Sequence, residues 1–259
     1  MKMLNFRKGW VAALAVTLTT TISTNAAVVT WGAASNITGD ANVIKTGALV
    51  GAFNVGDTGV TTATVNGVAF NPFAVPNSAA IGQSVSVGSF TLATTDQFLS
   101  LPNGTFGSAA APFTGLSAGY QNLLGSATLT ATPAPFTLTM SGLTLNNVYQ
   151  FQWFANTSAP GAQLHLATAG NTSTLNDNTT NLDGGLGQFA VGTFVADASS
   201  QVITFSPSGG AFQSAQLNGF QLRNVGPVPE PGSALVGMLT LGLCYSGFFS
   251  RRGRTRVSA

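Results

Sequence analysis

Apolar and polar residues alternate in short runs through the middle of the chain, and glycine, asparagine, aspartate and proline separate the runs. This pattern is typical of strands and turns, and no part of it repeats at the 3.6-residue period of a long helix. The clearest run, 149–154, places Tyr149, Phe151 and Trp153 on one face. The pattern therefore predicts an all-β body over residues 27–225, folded as an antiparallel sandwich or barrel.

Two local signals predict individual elements of this body. Asn66-Gly67 supplies the positive φ angles of a type I′ turn, so residues 64–70 are predicted to form a hairpin. Residues 117–124 are predicted to form the one short helix of the body. Its three apolar side chains would share a face: Tyr120, Leu123 and Leu124.

The last strands of the body are predicted from the same alternation. Runs 188–195 and 201–205 are interpreted as a strand pair joined by a turn around residues 197–200. The closing strand, 215–222, contains Gly219, and a glycine inside a strand favours a β-bulge at that point.

Residues 1–26 have the three parts of a secretory signal peptide: a basic start, an apolar stretch and a polar exit. Thr24 and Ala26 place small side chains at the −3 and −1 positions of a signal peptidase site, which predicts cleavage after Ala26. The apolar stretch is shorter than the about 17–25 residues of a spanning helix, so an uncleaved anchor is the less favoured alternative. The chain is predicted to be exported.

The C-terminal segment 226–256 also has three parts in a fixed order. A proline- and glycine-rich motif at 228–233 is followed by an uncharged apolar run, which predicts a transmembrane helix over 233–250. An arginine-rich tail at 251–256 comes next and is expected to stay on the cytoplasmic side. The motif residues are Pro229, Glu230 and Pro231, and the residues that stop transfer through the membrane are Arg251, Arg252 and Arg254.

This ordered combination resembles the PEP-CTERM sorting signal. The resemblance implies recognition by an exosortase, an integral-membrane cysteine-protease-like enzyme that cuts near the Pro-Glu-Pro motif and releases or re-attaches the body at the cell surface. It also implies a Gram-negative bacterium that makes exopolysaccharide and biofilm. A plain C-terminal membrane anchor that is never cut is the alternative.

The second half of the body, residues 115–225, resembles the jelly-roll domain found in exported proteins with this kind of C-terminus. The segments that carry the resemblance are 138–143, 149–154, 184–189 and 217–223. The resemblance implies a jelly-roll-like sandwich, and by analogy of fold alone it extends to carbohydrate-binding modules.

The formal net charge of +2 is the sum of two basic ends and an acidic body. Seven basic residues lie at the two ends, within residues 1–8 and 251–256, while residues 9–250 have two basic and seven acidic residues, a balance of −5. Nucleic-acid binding, which needs clustered Lys and Arg on the folded part, is therefore disfavoured. The single cysteine, Cys244, lies in the apolar run, so no intrachain disulfide is possible.

Catalytic residues are sparse in the body. His165 is its one histidine, no Gly-x-Ser-x-Gly elbow is present, and the six Asp residues of the body lie mostly in turn contexts, with no Glu. A lone histidine is more often structural, and glycosidase chemistry needs two facing carboxylates. The chain is thus predicted not to be an enzyme.

A metal site is the other candidate chemistry. Asp177 and Asp183 lie in an Asn- and Gly-rich stretch whose oxygens suit Ca²⁺, although the spacing is not that of an EF-hand. The same residue types make ordinary turns, which is the favoured interpretation. Calcium is therefore a weak candidate, and no other cofactor is predicted.

The leading functional prediction is an exported, non-catalytic surface or extracellular-matrix protein associated with exopolysaccharide or biofilm. Its predicted partners are signal peptidase, an exosortase-type protease and the inner membrane before processing, and polysaccharide is a further candidate. A carbohydrate-binding module is the alternative, and a hydrolase is a remote one.

Overall fold

The structure, a computed structural model, describes residues 27–210 and 214–228. The predicted signal peptide at 1–26 lies outside the described residues, as do Pro229, Glu230 and Pro231, the helix predicted over 233–250 and the arginine-rich tail. Within the described ranges, no helix is long and apolar enough to cross a membrane.

Strands are the main secondary structure of the described chain. The α-helix is α1 (Ala118–Leu124), and short 3₁₀ turns occur at Asp40–Asn42 and Phe113–Gly115. In chain order the strands are β1 (Thr30–Trp31), β2 (Ser35–Asn36), β3 (Ala48–Gly56), β4 (Ala63–Val65), β5 (Val68–Ala74), β6 (Ser84–Val87), β7 (Phe90–Thr94), β8 (Phe98–Leu101), β9 (Ala127–Thr130), β10 (Phe136–Ser141), β11 (Asn147–Ala155), β12 (Gln163–Ala169), β13 (Asn171–Asn176), β14 (Gln188–Val195), β15 (Ser200–Gly210), β16 (Gln216–Leu217) and β17 (Gly219–Pro227).

These strands form three sheets. The eight-stranded sheet has the order β1-β14-β11-β17-β3-β5-β4, with β2 also paired to β14. The six-stranded sheet has the order β13-β12-β15-β10-β7-β6, and the three-stranded sheet has the order β16-β9-β8. Paired strands are antiparallel except β3 and β5, which are parallel. The predicted all-β class with antiparallel sheets is thus confirmed.

The main core lies between the two large sheets. Tyr149, Phe151 and Trp153 of β11 are all buried on one face, as their alternation predicts. The Trp153 ring meets Phe205 of the opposite sheet edge to face, with centroids 5.3 Å apart. Such aromatic contacts from both sheets bury apolar surface between them, which makes the architecture a sandwich.

A smaller core lies on the other face of the eight-stranded sheet. The predicted helix is confirmed as α1, and Ser117 caps it by accepting a hydrogen bond from the Tyr120 backbone N–H. Tyr120 packs on Phe154 of β11, with ring centroids 6.1 Å apart. The predicted Asn66-Gly67 hairpin between β4 and β5 is also confirmed, with φ angles of 51° and 74° in the turn.

Two predictions about strand partners are wrong. β14 and β15 are not paired with each other: β14 joins the eight-stranded sheet and β15 the six-stranded one, because the chain crosses between sheets at 196–199. The predicted strand 215–222 is not continuous, since a bend at Asn218 separates β16 in the three-stranded sheet from β17 in the eight-stranded one. β17 also extends to Pro227, two residues beyond the predicted end of the body.

A row of polar side chains on the outer face of the eight-stranded sheet is buried beneath residues 42–46. Gln152 accepts from the Ile44 N–H and donates to the Asn42 carbonyl. Arg223 donates to the carbonyls of Lys45 and Thr46, and burial lowers the pKa of its guanidinium. These contacts hold the segment on the sheet, and no carboxylate of the described residues pairs with the arginine.

Tyr120 yields a stability prediction, because its buried hydroxyl has no hydrogen-bond partner among the described residues. Burial, with a smaller effect of Asp40, raises the pKa of this phenol. Tyr120→Phe removes an unsatisfied polar group, so it is expected to raise the free energy of unfolding by about 1 kcal/mol. Urea denaturation measures the change. The matched control is Tyr149→Phe, which removes the acceptor of the Thr144 N–H and is expected to destabilise; equal effects of the two changes would contradict the prediction.

Asp96 yields a pH prediction. Its carboxylate accepts from the Thr132 hydroxyl at 2.7 Å and from the Thr132 N–H at 2.9 Å, and these bonds hold the pKa of Asp96 below its usual value. A lowered folded-state pKa adds stability that is present above the unfolded pKa of about 3.9 and is lost as pH falls through the folded value.

Thr132→Val removes the hydroxyl donor, so the variant is expected to be less stable than the parent above about pH 4 and to converge with it in stronger acid. Urea unfolding at a series of pH values measures this difference. Thr144→Val, at an exposed position away from Asp96, is the control. A Thr132→Val difference that is constant with pH would contradict the assignment.

Candidate functional site

A cleft of about 370 Å³ opens between the three-stranded sheet and the segment 157–163. One face of the three-stranded sheet forms a wall, since Leu99 of β8 lies opposite Leu129 of β9, and Leu129 lies opposite Gln216 of β16. The start of β12 and the residue after β13, Asp177, form the other side. The cleft is thus built from segments that are far apart in the chain.

Gln163 is the polar residue of the cleft with an unused hydrogen-bonding group. Only 8% of it is exposed, and its side-chain oxygen has no partner among the described residues. Its backbone N–H donates to the Asp177 carboxylate at 2.8 Å, and its carbonyl accepts from the Asp177 N–H at 3.1 Å. The Gln163 backbone is therefore fixed, while its side-chain oxygen is sealed from solvent without a donor among the described residues.

Asp177 and His165 form a buried pair beneath this acceptor. The Nε2 atom of His165 lies 3.1 Å from the second carboxylate oxygen of Asp177, and both side chains are excluded from solvent. His165 follows Gln163 on the inner face of β12, because alternate residues of that strand point inward. The contact with His165 positions the Asp177 carboxylate, which in turn accepts a hydrogen bond from the Gln163 backbone N–H.

Phe106 closes the cleft from the loop after β8. Its carbonyl accepts from both the backbone N–H and the hydroxyl of Ser158, and its N–H donates to the Gly125 carbonyl at 3.1 Å. The ring is half-buried and lines the cleft. These bonds connect the Phe106 loop to the segment 157–163 and hold the aromatic wall in place.

The two calcium candidates lie in different surroundings. Both carboxylate oxygens of Asp177 are bound within the protein, to His165 and to the Gln163 N–H, whereas Asp183 is exposed and accepts from the Ser108 hydroxyl at 2.9 Å. Asn178 stabilises the loop between them, because its side-chain oxygen accepts hydrogen bonds from the backbone N–H groups of residues 180 and 181. Over the described residues, no group of three or more His, Cys, Asp or Glu side chains could hold a metal ion.

Asn218 is a structural residue next to the cleft that sequence reasoning missed. Its amide NH₂ donates to the carbonyls of Leu124, Ser126 and Asn156, and its oxygen accepts from the Asn156 N–H. Its oxygen also accepts from Gln216, a cleft residue. The sequence gives no clear signal for it, because Gln216 and Gln221 are polar residues of the same predicted strand.

The predicted sorting residues begin where the described chain ends. Val228 is the last described residue, and its N–H donates to the Asn146 carbonyl at 3.1 Å. Arg251, Arg252 and Arg254, like the Pro-Glu-Pro motif, lie outside the described residues.

Comparison with known proteins finds no matching family model, no significantly similar curated protein and no significantly similar solved structure. The cleft and the predicted sorting segment thus have no matched counterpart from which a role could be transferred. Their proposed roles rest on their own chemistry.

Proposed function

We propose that this is an exported, non-catalytic surface or extracellular-matrix protein, sorted and processed by an exosortase-type system and associated with exopolysaccharide. The observation that carries the proposal is the order of the C-terminal parts: the motif at 228–233, the uncharged apolar run and the arginine-rich tail. The predicted signal peptide requires the same orientation, with the body outside and the arginines inside.

The position of the last strand supports processing at the motif. β17 lies between β11 and β3 inside the eight-stranded sheet, and it ends at Pro227. A cut near Pro229–Pro231 would therefore remove none of the described strands. The released body keeps its central strand and both of its cores.

The body is proposed to be jelly-roll-like. The chain passes from β10 in one large sheet to β11 in the other, returns to β12 and β13, and crosses again to β14 and back to β15. Repeated crossing between two antiparallel sheets is a feature of such sandwiches. The fold positions loops at the ends of the sandwich, where binding surfaces are commonly carried.

Intact-mass analysis of the exported protein tests the processing. We expect the loss of residues 1–26 and a new C-terminus between residues 229 and 233. Changing Pro229, Glu230 and Pro231 together to alanine is expected to leave the tail attached, whereas Val225→Ala at an exposed position upstream should be processed normally. An exported form of the parent that still carries Arg256 would contradict the proposal.

Carbohydrate binding by the body is the second candidate function, and the cleft favours it. Small-molecule sites are concave and mostly apolar, with a few polar groups. The cleft between the three-stranded sheet and segment 157–163 has this composition. Retention on immobilised polysaccharides is the test. Failure to bind any polysaccharide of a broad panel would remove this candidate without affecting the processing result.

A further inference from the structure

We propose that strand β6 (Ser84–Val87) pairs antiparallel with β6 of a second copy of this chain, so that two six-stranded sheets join edge to edge. β6 is the last strand on its side of the six-stranded sheet, beside β7. This pairing uses the folded body alone, so it is independent of the sorting segment and of the cleft.

The backbone of β6 has unpaired hydrogen-bonding groups at Ser84 and Ser86. The Gln83 carbonyl accepts from the Thr94 N–H at 2.9 Å, so the backbone groups of Gln83 face β7. Along an antiparallel pair, residues that bond to the neighbour alternate with residues that do not. Ser84 and Ser86 therefore direct their N–H and C=O groups away from β7, to a side where no strand lies among the described residues.

The inward-facing side chains of β6 are also incompletely covered. Val85 and Val87 pack against the main core, but both are only partly buried. At the opposite edge of the same sheet, the inward-facing Ser173 and Leu175 of β13 are buried. The core is thus closed at β13 and open at β6, where a further strand would remove the exposed surface of both valines from water.

The edge of the three-stranded sheet is closed by side chains, in contrast to β6. At β8, the Asn77 side chain accepts from the Ser100 N–H at 2.6 Å and donates to the Ser100 carbonyl at 2.8 Å. The Gln83 side chain accepts from the Phe98 N–H at 2.6 Å. Proline, charged residues and bulges are the other devices that keep edge strands from pairing, and β6 itself contains none of them.

The sequence of β6 suits pairing with a second copy of itself. With Val85 opposite the partner's Val85, Ser84 lies opposite the partner's Ser86, and each such serine pair exchanges both of its backbone hydrogen bonds. The two Val85 side chains then meet in a close, non-hydrogen-bonded pair on the core side. Residues 58–95 contain no Asp, Glu, Lys or Arg, so no like charges oppose the approach of the two edges.

Disulfide cross-linking of the detergent-solubilised full chain tests this pairing. Cys244→Ala removes the single native cysteine, and Val85→Cys is added to that background. Residues of a non-hydrogen-bonded pair lie about 4.5 Å apart at Cα, within the range of about 4.4–6.8 Å that a disulfide spans. After mild oxidation, non-reducing electrophoresis is expected to show at least ten times more linked dimer than for Leu182→Cys. Leu182 is 65% exposed in the loop between β13 and β14.

Val87→Cys tests the register of the pairing. Val87 would lie opposite the partner's Gln83 and about 13 Å along the strand from the partner's Val87, which is too far for a disulfide. This variant is therefore expected to cross-link no more than Leu182→Cys. Linked dimer equal to that of Val85→Cys would contradict the proposed pairing.

Two changes at Ser86 are expected to reduce the Val85→Cys dimer at least tenfold. Ser86→Pro removes an N–H that faces away from β7, so it blocks the partner strand and leaves the ladder to β7 intact. Ser86→Lys places two like charges about 7–8 Å apart on one face of the joined sheet. Thermal unfolding checks that each variant folds, and the lysine variant, at an exposed position, keeps the test decisive if the proline variant does not. If Val85→Cys links no more than Leu182→Cys, or if Ser86→Lys leaves its linked dimer unchanged, the proposal is overturned.

Discussion

Asn218→Asp is expected to lower the free energy of unfolding by about 3–5 kcal/mol, because one side chain there satisfies several buried carbonyls. The amide NH₂ of Asn218 donates to Leu124 and Ser126 at 2.9 Å and to Asn156 at 3.1 Å. Leu124 is the last residue of α1, so its carbonyl has no partner within the helix. An aspartate has nearly the same shape, but it would point a buried charge at these oxygens.

Equilibrium urea unfolding followed by tryptophan fluorescence measures this loss. Asn171→Asp is the matched control, since Asn171 is exposed at the start of β13 and the same chemical change should have little effect there. If Asn218→Asp unfolds at the same urea concentration as the control, the three hydrogen bonds do not contribute as the geometry indicates.

Features encoded by neighbouring residues could be predicted from the sequence. The type I′ turn needs only Asn66 and Gly67, because both accept a positive φ angle. Helix α1 needs a capping residue, Ser117, and apolar residues at helical spacing. The inward face of β11 follows from alternation alone. Each of these signals is complete within fewer than ten residues of chain.

Strand partners could not be predicted in the same way. β14 and β15 both alternate and are separated by a short turn, which favours a hairpin on local grounds. In the structure each strand places its apolar residues on the same core from opposite sheets, with Phe194 on one side and Ile203 on the other. Alternation indicates that one face of a strand is buried, but it does not indicate which sheet the strand joins.

The candidate site was only partly visible in the sequence for the same reason. Asp177 was recognised as an oxygen ligand and His165 as the one histidine of the body, but their pairing depends on the register of β12 with β13. Gln163 had no distinguishing sequence pattern. Its burial, and the missing partner of its oxygen among the described residues, are evident only from the three-dimensional structure.

Polar residues on strands were the hardest to interpret. Gln152 alternates with Phe151 and Trp153, so a solvated face is the simple expectation. Instead the segment 42–46 covers it, and Gln152 is fully buried while bonded to the backbone of that segment. The covering segment is more than a hundred residues away in sequence, so no local pattern could indicate it.

Asp177→Ala is the other change with a large expected effect, about 3–5 kcal/mol lost from the free energy of unfolding. It would leave the Nε2 atom of His165 and the Gln163 N–H without their partner in the protein interior. Breaking one side of a buried pair costs more than the pair contributes, because the remaining polar group stays desolvated. Asp177→Asn keeps an acceptor for the Gln163 N–H and is expected to be milder.

Asp183→Ala separates this explanation from a calcium site. Asp183 is exposed, and among the described residues its side chain accepts from the Ser108 hydroxyl alone, so its loss should change stability little. Urea unfolding of the parent and both alanine variants, with calcium and with a chelator, measures the difference. Unequal losses that do not depend on calcium are expected from the hydrogen bonds. Equal losses that appear only with calcium would contradict this account, because two carboxylates that share one ion contribute together.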